Sequence, residues 1–228
     1  MTAATPIKRI GVISGVANEL AVFLPGRPRR SLGAGALAVQ QAAYAGKEVY
    51  MLCAGIGKVA AATAAATLHA RHSVDLLMVV GTAGKIGAVD GDLFNVVEAV
   101  QADYGAQRAD GLVRYMPGAM PVGPADVQAF RAFEVSMPDL PSARIATSDL
   151  FIECDIHAGK VRDGLSATLV DMETAAVAQA AALLGIGWVA IKATTDGADG
   201  ESAAAFFANL DAAARSAAEA ARRLIDRL

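Results

Sequence analysis

Segment 170–196, VDMETAAVAQAAALLGIGWVAIKATTD, constrains the fold more than any other part of the chain. A short apolar, β-prone run at 168–170 leads into it, and an alanine-rich, helix-forming run follows and closes at Gly185 and Gly187. Apolar residues from Trp188 to Ile191 then indicate a buried strand. This order predicts a βαβ crossover, and ligands of open α/β sheets bind where such strands end.

Acidic residues stand at both predicted strand ends of this segment. Asp171 and Glu173 follow the first strand, and Asp196 follows the second, in a chain with only 19% charged residues. Taken singly, a charge at a helix N-terminus explains Asp171 or Glu173, and a turn before Gly197 explains Asp196. Each of these local explanations is favoured for a single acid, but together the three acids match a family pattern, described below, which makes them candidate site residues.

Length and composition favour one domain, residues 1–228, in a compact soluble protein. The net charge of −3 gives no basic surface for nucleic acid. No apolar run approaches the roughly 20 residues that cross a bilayer, and segment 1–14 lacks a signal-peptide pattern. We therefore predict a cytoplasmic protein without a membrane partner. Scattered histidines and two distant cysteines, interpreted as buried or inert thiols, imply no metal, and no cofactor is predicted.

Further elements are predicted along the chain. The first strand covers 7–14 and delivers Glu19 to its end, a hairpin covers 36–54, and GIGK at 55–58 opens a helix to about His72. A strand at 75–80 precedes a glycine-bordered turn at 81–85, and segment 101–122 is irregular. Helices are expected at 123–134, around 154–162 and at 202–228, the last with Phe206, Phe207, Leu210, Leu224 and Ile225 facing the core.

Several motifs occur in the order found in one enzyme family. The segments IGVISGVANEL, AGIGKVAAATAAATL, VVGTAGKIGAVDGDL, SDLFI, VDMETAAVAQ and ATTDGAD resemble motifs of the 5′-methylthioadenosine/S-adenosylhomocysteine nucleosidases. The resemblance extends from Ile10 to about Asp199 and includes, more distantly, the purine nucleoside phosphorylases. It implies a three-layer α/β/α fold with a central mixed, partly barrel-like β-sheet, a homodimer, and a small-molecule nucleoside as substrate.

The resemblance also implies roles for individual residues. Cleavage of an N-glycosidic bond passes through an oxocarbenium-like state, so it needs a general acid, a base that activates water, and acceptors for the sugar. Asp196 would protonate the purine N7 and Glu19 would activate the water. The implied substrate-binding residues are Thr82, Ala83 and Gly84 near the sugar, Phe151 stacked on the base, Ile152 at the base edge, and Asp171, Met172 and Glu173 around the ribose.

The sequence leaves alternatives open. Lys85, Asp171 and Thr195 depart from the residues common in the family, and the segment after Val100 lacks the family's tyrosine-histidine-aspartate stretch, so the 5′ substituent is not defined. A phosphorylase would use phosphate in place of water. The arginines at 27, 29 and 30 could bind phosphate and therefore keep that alternative open. Two further alternatives are a catalytically silent nucleoside-binding protein and a hydrolase of futalosine-like, 5′-modified nucleosides.

Overall fold

Twelve strands and five α-helices make up residues 6–228, the part of the chain that the computed structural model describes. The strands are β1 Arg9–Ser14, β2 Arg30–Leu32, β3 Val39–Tyr44, β4 Lys47–Cys53, β5 Leu76–Lys85, β6 Leu93–Gln101, β7 Gly105–Arg108, β8 Gly111–Arg114, β9 Phe130–Arg131, β10 Ser142–Thr147, β11 Leu169–Asp171 and β12 Gly187–Asp196. The helices are α1 Ala17–Ala21, α2 Lys58–His72, α3 Asp155–Leu165, α4 Thr174–Leu184 and α5 Ser202–Ile225, with a 3-10 turn at Gly35–Leu37.

The central sheet is mixed and partly closed. Its strand order is β11-β10-β6-β12-β5-β1-β4-β3-β2, with β9 on the side of β6. Strand β11 also pairs with the end of β5, Val170 opposite Gly84, which closes β5, β12, β6, β10 and β11 into a barrel. The β7–β8 hairpin forms a separate small sheet. The mixed, partly barrel-like sheet expected from the sequence is confirmed.

Helices cover both faces of the sheet and give the expected three layers. The helices α2 and α4 pack together on one face, where Leu68 and Val177 are fully buried. The helices α1 and α5 pack on the other face, where Leu224 and Ile225 are fully buried. The many alanines of α2, α4 and α5 leave little side chain between backbones, so the layers approach closely.

The predicted βαβ crossover is wrong in its strand pairing. The strand β11 pairs in parallel with β10 and antiparallel with β5, whereas β12 lies between β5 and β6. The helix α4 therefore connects two strands that are not neighbours, because closure of the barrel takes β11 away from β12. The ends of both strands still reach the same cavity. Asp171, Glu173 and Asp196 therefore line one cavity, as expected from their positions at strand ends.

Three other predicted elements differ from the structure. Strand β5 continues through 81–85, where a turn was predicted, because this segment pairs with β12 and β11. Segment 101–122 contains the β7–β8 hairpin. Segment 123–134 forms no helix: after Pro124 the chain extends, and Phe130–Arg131 pairs with Glu98 and Ala99 of β6, beyond the residues of β6 that pair with β12.

The core positions predicted for the C-terminal helix α5 are correct near its end and wrong near its start. Leu224 and Ile225 are buried, whereas Phe207 is 78% exposed and Phe206 is only partly buried. Cys53 is partly buried, but Cys154 is exposed, so of the two interpretations only that of an inert thiol is left for Cys154. None of the helices between residues 6 and 228 is long and apolar enough to cross a membrane.

Candidate active site

A cavity of about 460 Å³ opens at the rim of the barrel. All of the predicted site residues line it, namely Glu19, Thr82, Ala83, Gly84, Phe151, Ile152, Asp171, Met172, Glu173 and Asp196. They come from α1, the extended end of β5, the loop before α3, the connection from β11 to α4, and the end of β12. The structure therefore brings together residues that are far apart in the sequence.

Glu19 is anchored at the floor of this cavity and is only 5% exposed. Its Oε1 accepts hydrogen bonds from the backbone N–H of Thr82 at 2.8 Å and from Thr82 Oγ1 at 3.0 Å. Its Oε2 accepts a bond from the N–H of Val16 at 3.2 Å. A Cβ at position 81 would lie 2.5 Å from Glu19 Oε1, so Gly81 leaves the room that this carboxylate occupies.

Asp171 and Lys192 form a buried ion pair below the cavity. Lys192 Nζ lies 2.9 Å from Asp171 Oδ2, and both side chains are almost fully buried. The Oδ1 of Asp171 accepts a bond from Thr147 Oγ1, and its Oδ2 accepts bonds from the backbone N–H and hydroxyl of Thr174. Both carboxylate oxygens of Asp171 are therefore hydrogen-bonded inside the protein, and its contact with the ribose stays a prediction.

Glu173 is buried at the site, and its carboxyl group has a strongly shifted pKa. Its Oε1 accepts a bond from the N–H of Gly57 at 3.2 Å, and its Oε2 lies 4.0 Å from Lys192 Nζ. Burial raises the pKa of Glu173 to about 7, opposed by Lys192 and reinforced by Asp171 and Glu19. The carboxylates in turn hold the pKa of Lys192 above its ordinary value, although burial acts in the opposite direction.

Asp196 and the aromatic residues form the rest of the cavity. The Oδ2 of half-buried Asp196 accepts a bond from Thr195 Oγ1 at 2.8 Å, and its Oδ1 accepts one from the N–H of Ala198 at 3.0 Å. The rings of Phe151 and Phe206 meet edge to face with centroids 6.1 Å apart. Phe151 is 46% exposed, so a planar ligand can reach its ring.

The segment that carries Phe151 is tied to the start of α2. Asp149 Oδ1 accepts a bond from the N–H of Lys58 at 2.8 Å, and the N–H of Asp149 donates to Asp103. Lys58 Nζ donates to Asp103 as well. Gly57 of the GIGK segment has a φ of +107° and donates its N–H to Glu173, and a Cβ there would lie 3.1 Å from Asp149 Oδ1, which fits the predicted tight turn and close packing.

Sequence reasoning missed several residues that line the cavity or lie beneath it. Lys192 was not singled out, although a lone lysine inside an apolar strand predicts a buried partner of opposite charge. Phe206 and Phe207, predicted to be core residues, line the cavity instead, together with Ile56, Leu150 and Glu153. Arg29 lies outside the lining and donates to the carbonyls of Leu20, Ala21 and Leu24, so it does not clamp a phosphate.

Comparison with known proteins places this site in a family. The model of the phosphorylase superfamily matches residues 9–228. The 5′-methylthioadenosine/S-adenosylhomocysteine nucleosidase of Chromohalobacter salexigens is 30% identical to the chain, over 97% of this chain and 98% of that protein. This chain belongs to the 5′-methylthioadenosine/S-adenosylhomocysteine nucleosidase family of the phosphorylase superfamily. It is accordingly an enzyme, an N-glycosyl hydrolase.

Solved structures of the superfamily share the fold of this nucleosidase family member. The nucleosidase from S. pneumoniae, solved with a transition-state inhibitor, superposes with a TM-score of 0.84 at 24% identity, covering 96% of this chain and 99% of that one. The futalosine hydrolase of Helicobacter pylori superposes with a TM-score of 0.85 at 20% identity, covering 97% and 99%. At such identities the likeness shows the common fold.

Removing the buried lysine should destabilise this nucleosidase strongly. The substitution Lys192→Met leaves Asp171 without its cation, and breaking a buried ion pair costs about 3–5 kcal/mol. We expect a loss of that size in the free energy of unfolding, measured by chemical denaturation. Lys85→Met is the matched control, since Lys85 donates to the carbonyl of Gly91 and lies 3.6 Å from exposed Asp92. Equal losses in both variants would contradict a special role for Lys192.

The raised pKa of Glu173 predicts a pH dependence of stability in this nucleosidase. The folded-state pKa of about 7 exceeds the ordinary value of 4.5, so the folded state favours the protonated carboxyl. The contribution of the protonated Glu173 to the free energy of unfolding is complete below pH 4.5 and is lost as the pH rises to about 7. The loss amounts to about 3 kcal/mol. We expect Glu173→Gln to remove that dependence, measured as the difference in unfolding free energy between pH 4.5 and 8. If Glu173→Gln kept the same difference in unfolding free energy between pH 4.5 and 8 as the unmutated protein, the prediction would be contradicted.

Proposed function

We propose that this protein hydrolyses the N-glycosidic bond of 5′-methylthioadenosine, S-adenosylhomocysteine or a related adenosine derivative and releases adenine. Two carboxyl groups in different surroundings line the cavity, Glu19 on the floor and Asp196 at the end of β12. Such a pair suits general acid–base catalysis, in which one group protonates the leaving base and the other activates the nucleophile. No step requires a cofactor.

Glu19 acts as the base that activates water in this proposal. Its hydrogen bonds to Val16 and Thr82 fix the carboxylate and leave remaining lone pairs that can accept a proton from water. Asp196 acts as the general acid for N7 of the purine. Phe151 stacks on the base, the backbone of Ile152 binds its edge, and Thr82, Ala83 and Gly84 contact the sugar side.

The anchored carboxylate of Glu19 is the observation that favours water over phosphate. It already accepts hydrogen bonds from the backbone N–H groups of Val16 and Thr82, so these donors are not available to an incoming phosphate. A buried anion at this place repels phosphate, whereas it attracts the protons of a water molecule. No lysine or arginine lines the cavity within residues 6–228 to offset that repulsion.

Base release with and without phosphate tests this function directly. We expect free adenine and free sugar from methylthioadenosine, S-adenosylhomocysteine or adenosine without phosphate, measured by chromatography of both products. Strict dependence on phosphate with formation of a sugar 1-phosphate would assign the protein to the phosphorylases. Binding of adenosine, seen as a raised melting temperature without any base release, would instead indicate a silent binding protein.

Glu173 contacts the ribose hydroxyls in this proposal, with Met172 packed against the sugar. Its buried carboxyl group accepts only one backbone hydrogen bond, from Gly57, and so retains acceptor capacity toward the cavity. We expect the enzyme to prefer a ribosyl over a 2′-deoxyribosyl substrate by about 10-fold or more in kcat/KM, the value of one lost charged hydrogen bond. Glu173→Gln should reduce that preference, and equal handling of both substrates by the unmutated enzyme would contradict the role.

The homodimer and the cytoplasmic location expected from the sequence remain part of the proposal. Exposed apolar side chains near the cavity, including Ile56 and Val59, are compatible with a subunit interface. Light scattering at several protein concentrations tests the homodimer, and a monomeric mass would contradict it.

A further inference from the structure

The segment at 148–154, which we call the base segment, connects β10 to α3 and forms neither a helix nor a strand. It carries Phe151 and Ile152, which line the cavity and contact the purine in the proposed function. Because regular strand pairing does not hold the base segment, its position depends on individual contacts made by its residues. A contact that fixes this segment therefore also fixes the ring on which the base stacks.

Asp149 ties the base segment to two distant parts of the chain. Its Oδ1 accepts a hydrogen bond at 2.8 Å from the N–H of Lys58, the first residue of α2. Its own N–H donates to Asp103 Oδ2 at 2.9 Å. Lys58 Nζ in turn donates to Asp103 Oδ1 and lies 4.0 Å from Asp149 Oδ2. These three residues form a closed set of contacts that joins α2, the chain after β6 and the base segment.

The positive charge of Lys58 balances two carboxylates. A cation at the first residue of a helix is disfavoured by the helix dipole, so its place at the start of α2 needs compensation from nearby anions. The side chains of Lys58 and Asp103 are only 19% and 22% exposed, so water screens their attraction only in part. Without the lysine, the carboxylates of Asp103 and Asp149 would repel each other. Loss of the cation should therefore loosen the base segment.

Contacts with the interior hold Lys58 from its other side. Its Nζ also donates to Gln101 Oε1 at 3.1 Å, and the buried side chain of Gln101 donates to Gln179 of α4. The preceding residue, Gly57, donates its N–H to Glu173. Lys58 is thus fixed against β6 and α4, and it can serve as a rigid support for the more loosely held base segment.

We propose that Lys58 is a positioning residue that acts through Asp103 and Asp149 and fixes the base segment for stacking on the purine. The inference rests on the proposed nucleosidase function, because it needs the base to bind against Phe151. Stacking on the base is present before and during bond cleavage, so loss of the lysine should weaken binding and leave the chemical step almost unchanged. The residues of the proposed acid–base chemistry lie on other elements.

The substitution Lys58→Met tests the inference through a split between binding and turnover. We expect the Kd for adenine, measured by calorimetric titration, and the KM for methylthioadenosine to rise by about tenfold, as loss of a partly exposed charged hydrogen bond implies. The kcat for adenine release should change by less than about threefold. Lys160→Met, at an exposed position of α3 outside the cavity lining, is the matched control and should leave all three values unaltered. The melting temperature of each variant shows that it is folded in the assay.

A double-mutant cycle shows whether Lys58 acts through Asp103. Asp103→Asn keeps an oxygen that can accept the N–H of Asp149 but removes the charge that binds the lysine. Because both residues act through one contact, the double variant should weaken adenine binding by about tenfold, as each single variant does, whereas independent effects would multiply to about 100-fold. If Lys58→Met does not fold, Asp103→Asn alone must raise the Kd for adenine by about tenfold.

The outcomes separate the inference from the proposed function. An unchanged Kd for adenine in the folded variants, or effects that multiply in the double variant, would overturn the inference, while adenine release by the unmutated protein would still support the function. An unmutated protein that binds adenine but releases none from methylthioadenosine would overturn the function, and the Kd values of the variants would still decide the inference. An unmutated protein that neither binds nor releases adenine would overturn both.

Discussion

Replacing Asp196 with asparagine is expected to lower the rate of base release by about 10²–10⁴-fold, the usual contribution of a general acid. The amide cannot donate a proton to the purine, whereas its oxygen can still accept the hydrogen bond from the N–H of Ala198. The fold should therefore remain intact. The measurement is kcat for adenine release from methylthioadenosine, together with the melting temperature of the variant.

Asp110→Asn is the matched control for that experiment. Asp110 is exposed on the β7–β8 hairpin and does not line the cavity, so the same change of charge should leave the rate unaltered. Turnover of Asp196→Asn near that of the unmutated protein would mean that another group protonates the base. A collapsed melting temperature would mean that the loss of activity reflects unfolding.

Replacing Glu19 with glutamine is expected to abolish hydrolysis but to keep nucleoside binding. A glutamine oxygen can still accept bonds from Thr82, but the amide cannot take a proton from water, so kcat should fall by about 10²–10⁴-fold. The amide NH₂ would also face the N–H of Val16, and an unsatisfied buried donor costs about 1–3 kcal/mol of stability.

Binding and turnover have to be measured separately in this variant. Calorimetric titration with methylthioadenosine should show a Kd close to that of the Asp196→Asn variant, and denaturation should show the loss of stability. Glu48→Gln, at an exposed position on β4, serves as the control. Unchanged hydrolysis in Glu19→Gln would mean that water is activated elsewhere, and lost binding would make Glu19 a substrate-binding residue.

The sequence predicted the candidate site residues more reliably than it predicted the elements that carry them. Glu19, Glu173 and Asp196 follow apolar strands and stand in motifs whose order is specific, so their convergence on one cavity could be anticipated. The helix at 123–134 was wrong because local propensity contains no information about the distant residues Glu98 and Ala99 of β6, with which Phe130–Arg131 pairs. Phe206 and Phe207 were misplaced because an aromatic pair has the same helical pattern whether it faces a core or a cavity.

Strand and helix content, the helix-covered sheet and the acids at strand ends were determined by the sequence itself, because periodicity, propensity and turn residues act over a few neighbouring positions. Tertiary structure alone decided that β11 leaves β12 and closes a barrel against β5, since strand pairing depends on hydrogen bonds between distant segments. It also decided that Lys192 lies under Asp171 and Glu173 and that burial raises the pKa of Glu173. Charge in a protein interior depends on what surrounds it in space, and that neighbourhood exists only in the folded chain.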